Sequence, residues 1–259
     1  MSTKTEVKQN SIAKPVFGHA VVIGSSIAGL TAARVLTDHF AKVTIVDRDH
    51  LPETPEYRRG LPQTHHAHTL PLRGHQILEQ QFPGLTEELI ANGAVPINGG
   101  SEMAFFIAGK WHEVRHQASV MSMASSRPLL DTTLYQRLRA HAKVQVIQEQ
   151  EVIGLEVDGH PERVTGVRLH SRRRLVRSET ILQADLVVDT SGRTSQAPEW
   201  LSSLGFTPPS TSTVNAFAGY ASRIYQRPND VEAGWKTLYI RPTPPNGSRG
   251  GLILSLIHI

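Results

Sequence analysis

Cysteine is absent from the 259 residues, so the chain can form no disulfide, no thiolate metal site and no thiol nucleophile. Long apolar runs are absent as well. No stretch approaches the roughly 18 consecutive apolar residues of a membrane-spanning helix, so no integral membrane segment is expected. The opening MSTKTEVKQNSIAKP has neither the apolar stretch nor the small-residue cleavage site of a secretory signal. Residues 1–17 are therefore expected to be a disordered tail, and the location cytoplasmic. Charge of one sign is scarce: 27 Lys and Arg against 23 Asp and Glu leave a net charge of +4, and the basic residues are scattered. The densest run, Arg172 to Arg174, lies between two strand-like segments and reads as a solvated hairpin tip, which argues against a nucleic-acid partner.

A chain of this length can bury a substantial core, and its patterning shows how. His19 to Ile23 is a short apolar run that leads into the turn GSSIAG, residues 24–29. The next twelve residues place Leu30, Ala33, Val35 and Leu36 mostly on one predicted helical face, and Lys42 to Asp47, KVTIVD, is rich in β-branched residues. Strand, tight turn, helix and strand make a βαβ unit whose strands should be parallel neighbours. Helical patterns follow up to Gln81 and from Leu85 to Asn92, with a strand at Met103 to Ile107 and a helix, PLLDTTLYQRLRAH, after Arg127. From Lys143 the period shifts towards two, and VQVI, VIGLEV and VTGVRL predict a small β-meander before the strand Asp185 to Asp189. A helix, SQAPEWLSSLG, is closed by Gly205, and beyond PPS at 208–210 the segment VNAFAGYASRIYQRP reads as a long strand.

The glycine turn is the first motif with chemistry. Such a turn needs its first glycine for the sharp bend, its second for close backbone approach to a pyrophosphate and its third for helix-to-strand packing. Gly24 and Gly29 meet the first and third needs; Ser26 stands at the second, where small size is required rather than positive φ. The helix that follows offers unpaired N–H groups and about half a positive charge to a phosphate. Asp47 lies eighteen residues beyond Gly29 and twenty-three beyond Gly24, near the spacing of about 20 at which an acid binds an adenosine ribose. An unrelated α/β turn with a chance acid is the competing reading, weakened by the strand-turn-helix-strand-acid order.

VVIGSSIAGLTAARVLTDHFAKVTIVDRD, with RRGLPQTHHAHTL, SRPLLDTTLYQRLR and DLVVDTSGR, resembles the FAD-dependent monooxygenase and oxidoreductase family related to para-hydroxybenzoate hydroxylase. The likeness runs from about residue 19 to 205. It implies that Gly24, Ser25, Ser26, Ile27, Ala28 and Gly29 bind the FAD pyrophosphate, that Asp47, with Arg48 beside it, meets the adenosine ribose, and that Arg127 contacts the cofactor. The loop holding Arg59, Gly60, Gln63, His66 and His68 corresponds to the region beside the flavin ring, and Ser191-Gly192 to an Asp-Gly pair that lies against the cofactor. Serine in that pair removes a carboxylate, which bears on pyridine-nucleotide handling more than on FAD. A zinc site at His65, His66 and His68 competes with the flavin reading, but no nearby acid or cysteine completes a recognisable spacing, and no metal is expected. His112 and His116 read as background.

Three further absences shape the expected function. There is no second Gly-x-Gly-x-x-Gly turn, so NAD(P)H, the expected reductant, would bind without its own Rossmann domain, as the resemblance implies. There is no Trp-x-Trp motif around Trp111, Trp200 or Trp235, which argues against the tryptophan halogenases. The family's third cofactor motif, a Gly-Asp, is missing too. The codons CTG-TCT-CTT-ATA-CAC-ATC would encode the final LSLIHI, and that string matches a transposase end sequence used in sequencing libraries. The expectation is a frame cut near Ile253 with residues 254–259 non-native, a FAD-binding domain over 18–206, a partial substrate domain over 207–253, and a chain that alone holds FAD weakly or not at all. The expected fold is α/β, a Rossmann-like FAD-binding domain with an inserted β-meander and the start of a β-rich substrate domain. The expected parent is an FAD-dependent oxidoreductase, foremost a monooxygenase that inserts oxygen into a small organic substrate through a flavin hydroperoxide. A flavin dehydrogenase or reductase and a non-catalytic nucleotide-binding fragment are the alternatives, and no catalytic residue is named.

Overall fold

The computed structural model describes residues 17–66, 68–113, 116–118, 121–159, 163–172, 179–226, 228 and 233–256. Residues 1–16 of the tail expected over 1–17, the tip residues Arg173 and Arg174, and the last three residues lie outside them, and Phe17 begins β1. In chain order the elements are β1 (Phe17–Ile23), α1 (Ile27–Leu36), β2 (Phe40–Val46), β3 (His68–Leu70), α2 (Leu72–Gln81), α3 (Leu85–Ala91) and β4 (Val95–Asn98). β5 (Met103–Ile107), β6 (Lys110–Glu113), β7 (Met121–Ser125), α4 (Arg127–Arg139), β8 (Val144–Ile147), β9 (Gln150–Val157) and β10 (Val164–Ser171) follow. β11 (Glu179–Gln183), β12 (Leu186–Asp189), α5 (Ala197–Ser203), β13 (Thr237–Ile240) and β14 (Gly251–Leu254) complete the described chain. Two compact units result: the described residues up to His50 with Leu138–Pro209, and Leu51–Arg137 with the described residues from Ser210 onward.

The first unit is α/β. Its sheet has the order β12-β1-β2-β8 with all strands parallel. Ala20, Val21 and Val22 of β1 and Val43, Thr44 and Ile45 of β2 are fully buried on both faces, as expected of central parallel strands under covering layers. α1 covers one side through Gly29, Leu30 and Ala33. Val35, expected on that face, is 41% exposed, because five residues of helix turn it well away from Leu30. VQVI was expected in the meander; as β8 it pairs instead with β2, Val46 opposite Ile147. The meander proper is β9, β10 and β11, antiparallel, and it packs on the sheet through Val152, Val167, Leu169 and Ala184 against Val21, Ile23 and Val46. Ile23 is in register with both Val46 and Asp189, so the loops leaving β1, β2 and β12 emerge side by side at the carboxyl ends of the strands. That edge is where open parallel sheets bind their ligands.

The second unit carries two small sheets, β14-β13-β5-β6 and β3-β7-β4. Leu254 and Leu256 pack against Val95, Ile97 and Ala124 within it. The long strand expected over VNAFAGYASRIYQRP is not formed: residues 214–226 have no regular structure, and Val214, Phe217 and Tyr220 are 96%, 90% and 85% exposed. A strand needs a neighbour to pair its N–H and C=O groups, and none of the described strands runs beside this segment. Among the described residues no helix is long and apolar enough to cross a membrane.

Candidate functional site

Gly24 leaves β1 with φ +96°, and its N–H donates to the Val46 carbonyl at 2.8 Å. A Cβ at Gly24 would stand 2.9 Å from the Thr190 carbonyl oxygen; one at Gly29 would stand 1.9 Å from the Gly24 carbonyl oxygen and 2.8 Å from Thr190 Oγ1. Both glycines are therefore required by close backbone approach. Thr190 supplies the other wall of the turn: its N–H and its hydroxyl both donate to the Ile23 carbonyl, at 2.9 and 2.6 Å. Ser26 has φ −79° and ψ 178° at the head of α1, backbone that any residue adopts, so serine in place of the second glycine adds no strain. No acid occupies the first turn of α1, which leaves the positive end of the helix dipole available to an anion.

Ser26→Gly should accordingly leave FAD affinity within about tenfold, whereas Ser26→Leu should abolish binding by blocking backbone approach to a pyrophosphate. A flavin-fluorescence titration of the two variants checks this; tight binding by the leucine variant would contradict it.

Asp47 follows directly on β2 and is buried, 7% exposed. Its Oδ2 accepts the Ser25 N–H at 2.8 Å and the Ser25 hydroxyl in a short hydrogen bond, while Oδ1 accepts the Asp49 N–H at 2.8 Å. The acid thus ties the second strand to the glycine turn across the sheet edge. Arg48 beside it is exposed. After β12, Asp189 accepts the Ser191 N–H at 2.8 Å through Oδ1 and the Ser195 hydroxyl through Oδ2. Gly192 has φ +86° with nothing within 4 Å of where a Cβ would be, so glycine here serves backbone conformation and leaves open space. The first unit therefore brings together Gly24 to Gly29, Asp47, Ser191 and Gly192 at one sheet edge.

Arg59, Gly60, Gln63 and Arg127 belong to the second unit. Arg59 and Gln63 are exposed. Arg127 is the first residue of α4, where Ser126 precedes it and accepts the Leu129 N–H at 3.2 Å. Its Nε donates to Asp131 Oδ1 at 2.8 Å, and the two side chains are 12% and 6% exposed. Burial pushes the Asp131 carboxyl above its ordinary range, opposed by the charges of Arg127, Arg58 and His68. The expected trio of histidines divides its partners: His65 stacks on Tyr57 at 4.3 Å, His66 Nδ1 meets Ser222 Oγ at 3.0 Å, and His68 Nδ1 meets the His66 carbonyl at 2.8 Å. Among the described residues no group of three or more potential ligands could hold a metal.

Sequence reasoning placed Ser25 in the turn but missed its bonds to Asp47, and it missed Thr190 and Asp131. A hydroxyl residue within the turn and a threonine inside DTSGR were visible signals for the first two. Asp131, four residues after Arg127, reads in sequence as half of an ordinary helix-surface ion pair, and only its burial sets it apart.

A family model described as FAD binding domain matches residues 19–240. The chain belongs to this FAD-binding-domain family. FAD is the family's cofactor, and the two crowded glycines, the small Ser26 and the acid-free helix start suit its pyrophosphate. Protein Rv3254 of Mycobacterium tuberculosis (strain ATCC 25618 / H37Rv) is 36% identical over 226 residues, covering 83% of this chain and 46% of that protein. Among solved structures, the myxobacterial chondrochloren halogenase CndH, an FAD-dependent halogenase, matches with a TM-score of 0.53 at 24% identity, over 70% of this chain and 39% of its own. The p-nitrophenol 4-monooxygenase PnpA from Pseudomonas putida DLL-E4 matches with a TM-score of 0.52 at 15% identity, over 70% and 42%. At such identities the likeness is one of fold. The chain spans about half the length of the curated relative it matches, and less of the two structures.

Proposed function

We propose that the chain is the FAD-binding part of a flavin-dependent oxidoreductase, and that the whole protein is a monooxygenase using NAD(P)H and O₂ on a small organic substrate. The observation that carries this reading is the glycine turn of the first unit, closed from one side by Asp47 through Ser25 and from the other by Thr190. Gly24 to Gly29 would hold the pyrophosphate, with the N-terminus of α1 supplying N–H donors and partial positive charge. Asp47 would hold the turn from within and meet the adenosine ribose, with Arg48 beside it. Ser191 and Gly192 are proposed to lie along the cofactor, where Gly192 leaves room for backbone approach. Arg59, Gly60, Gln63 and Arg127 are proposed as cofactor contacts on the sequence resemblance alone.

When bound, FAD supplies the electron transfer; the protein's residues bind it, orient it and exclude water. A dehydrogenase or reductase that inserts no oxygen is the second reading, favoured by Ser191 standing where the hydroxylases carry an acid. Following NAD(P)H oxidation and oxygen uptake together, over a panel of small aromatic and aliphatic acids, separates the two. Coupled consumption of O₂ with an oxygenated product is the expected result, and substrate turnover under strict anaerobiosis would overturn the monooxygenase reading.

A further inference from the structure

The ion pair at the head of α4 is built unlike a surface pair. Arg127 and Asp131 are 12% and 6% exposed, and Asp131 is held among basic groups from three places: Arg127 on α4, Arg58 in the loop before β3, and His68 on β3. The loop is in turn tied to α4, where Gln136 donates to the Glu53 carbonyl at 2.7 Å and Thr132 to the Thr54 carbonyl at 3.4 Å. Asp131 Oδ1 takes the Arg127 Nε–H, while Oδ2, equally buried, has no hydrogen-bond donor among the described residues. Burying a carboxylate with one oxygen unsatisfied is costly, and such a group is the weaker choice for stability alone, since apolar side chains often serve as well.

We infer that Asp131 is a positioning residue for Arg127. The guanidinium is planar and rigid, so fixing Nε fixes the direction of its whole fork. Arg127 at the first position of α4 is then presented in one orientation. The inference rests on the reading that Arg127 contacts FAD. Asp131 does not itself touch the cofactor; it acts through Arg127, and its charge does so only while ionised. Because burial holds the carboxyl above its ordinary range, acidification should neutralise it at a higher pH than an exposed aspartate.

The test is FAD titration of the 259-residue chain and of its Arg127→Leu, Asp131→Leu, Asp131→Asn and doubly substituted Arg127→Leu/Asp131→Leu variants, with the Tm of the nucleotide-free protein read alongside. Arg127→Leu should weaken FAD about tenfold or more, the size expected for a lost charge-assisted hydrogen bond. Asp131→Leu should weaken it to a similar degree, and in the double variant should add nothing. Asp131→Asn keeps an acceptor for Nε but not the charge, so it should bind FAD more weakly than the wild type and more tightly than Asp131→Leu, and should lose the fall in affinity that the wild type shows on acidification. A purely structural role would lower Tm in both backgrounds and leave the two effects on FAD additive, which would overturn the inference while the Arg127 reading stood. FAD affinity unchanged in Arg127→Leu would overturn the cofactor-contact reading, and the inference with it. If a leucine variant fails to fold, Arg127→Lys combined with Asp131→Asn carries the same comparison.

Discussion

Gly29→Ala should yield a chain that no longer takes up FAD and that melts about 10 °C below the wild type. The added methyl would stand 1.9 Å from the Gly24 carbonyl oxygen and 2.9 Å from its carbonyl carbon. Neither is a side chain that can swing away. Gly24 is held at φ +96° by its N–H bond to Val46 and walled by the Thr190 backbone, so relief requires moving α1 away from β1. Overpacking of this kind costs about 3 kcal/mol, which for a chain of this size corresponds to roughly 10 °C in Tm. The displaced helix start would then present its N–H groups in the wrong place for a phosphate. Gly205→Ala is the matched control in the same unit. It also has a positive φ, +86°, but nothing lies within 4 Å of its Cβ position, so only the left-handed conformation is charged against it, about 1 kcal/mol. Calorimetry and FAD titration of the two variants test the contrast; equal losses in both would show that close approach at Gly29 is not what matters.

Asp47→Asn should be nearly as damaging as Asp47→Ala, despite being isosteric. The carboxylate accepts two hydrogen bonds from Ser25 on one oxygen and one from the Asp49 N–H on the other. An amide has one acceptor oxygen and one NH₂, so whichever way it is turned, donor faces donor on one side. Ser25 is 2% exposed. Leaving such a buried donor unsatisfied costs about 1–3 kcal/mol, and the loss should appear in the nucleotide-free protein as well as in FAD affinity, which should fall about tenfold or more. A ribose contact alone would weaken the cofactor and leave the Tm of the nucleotide-free chain unchanged, so thermal melting of the nucleotide-free Asp47→Asn chain distinguishes the two roles.

The first unit was legible in sequence where local pattern and burial coincide. HAVVI and KVTIVD are apolar on both faces because both faces are covered, and the turn between them shows its crowding as glycine at 24 and 29. Asp47 was legible by position, but its bonds to Ser25 were not, since they depend on two strand ends meeting in register, which no local window contains. VQVI has the alternation of a meander strand, and only pairing with β2 reveals it as the edge of the parallel sheet. The reverse failure is VNAFAGYASRIYQRP: its residues favour a strand, yet propensity cannot supply the neighbour that a strand requires. Asp131 was invisible for a related reason. A charge pair four residues apart looks the same in sequence whether it faces water or, as here, is buried.

The central claim is that the turn from Gly24 to Gly29 holds the FAD pyrophosphate. Calorimetric titration of the 259-residue chain with FAD and with riboflavin, which shares the flavin ring but lacks the pyrophosphate, tests it most directly. The prediction is saturable, if weak, FAD binding with riboflavin weaker by about 100-fold, as the loss of two charge-assisted hydrogen bonds implies. Riboflavin bound as tightly as FAD would contradict it.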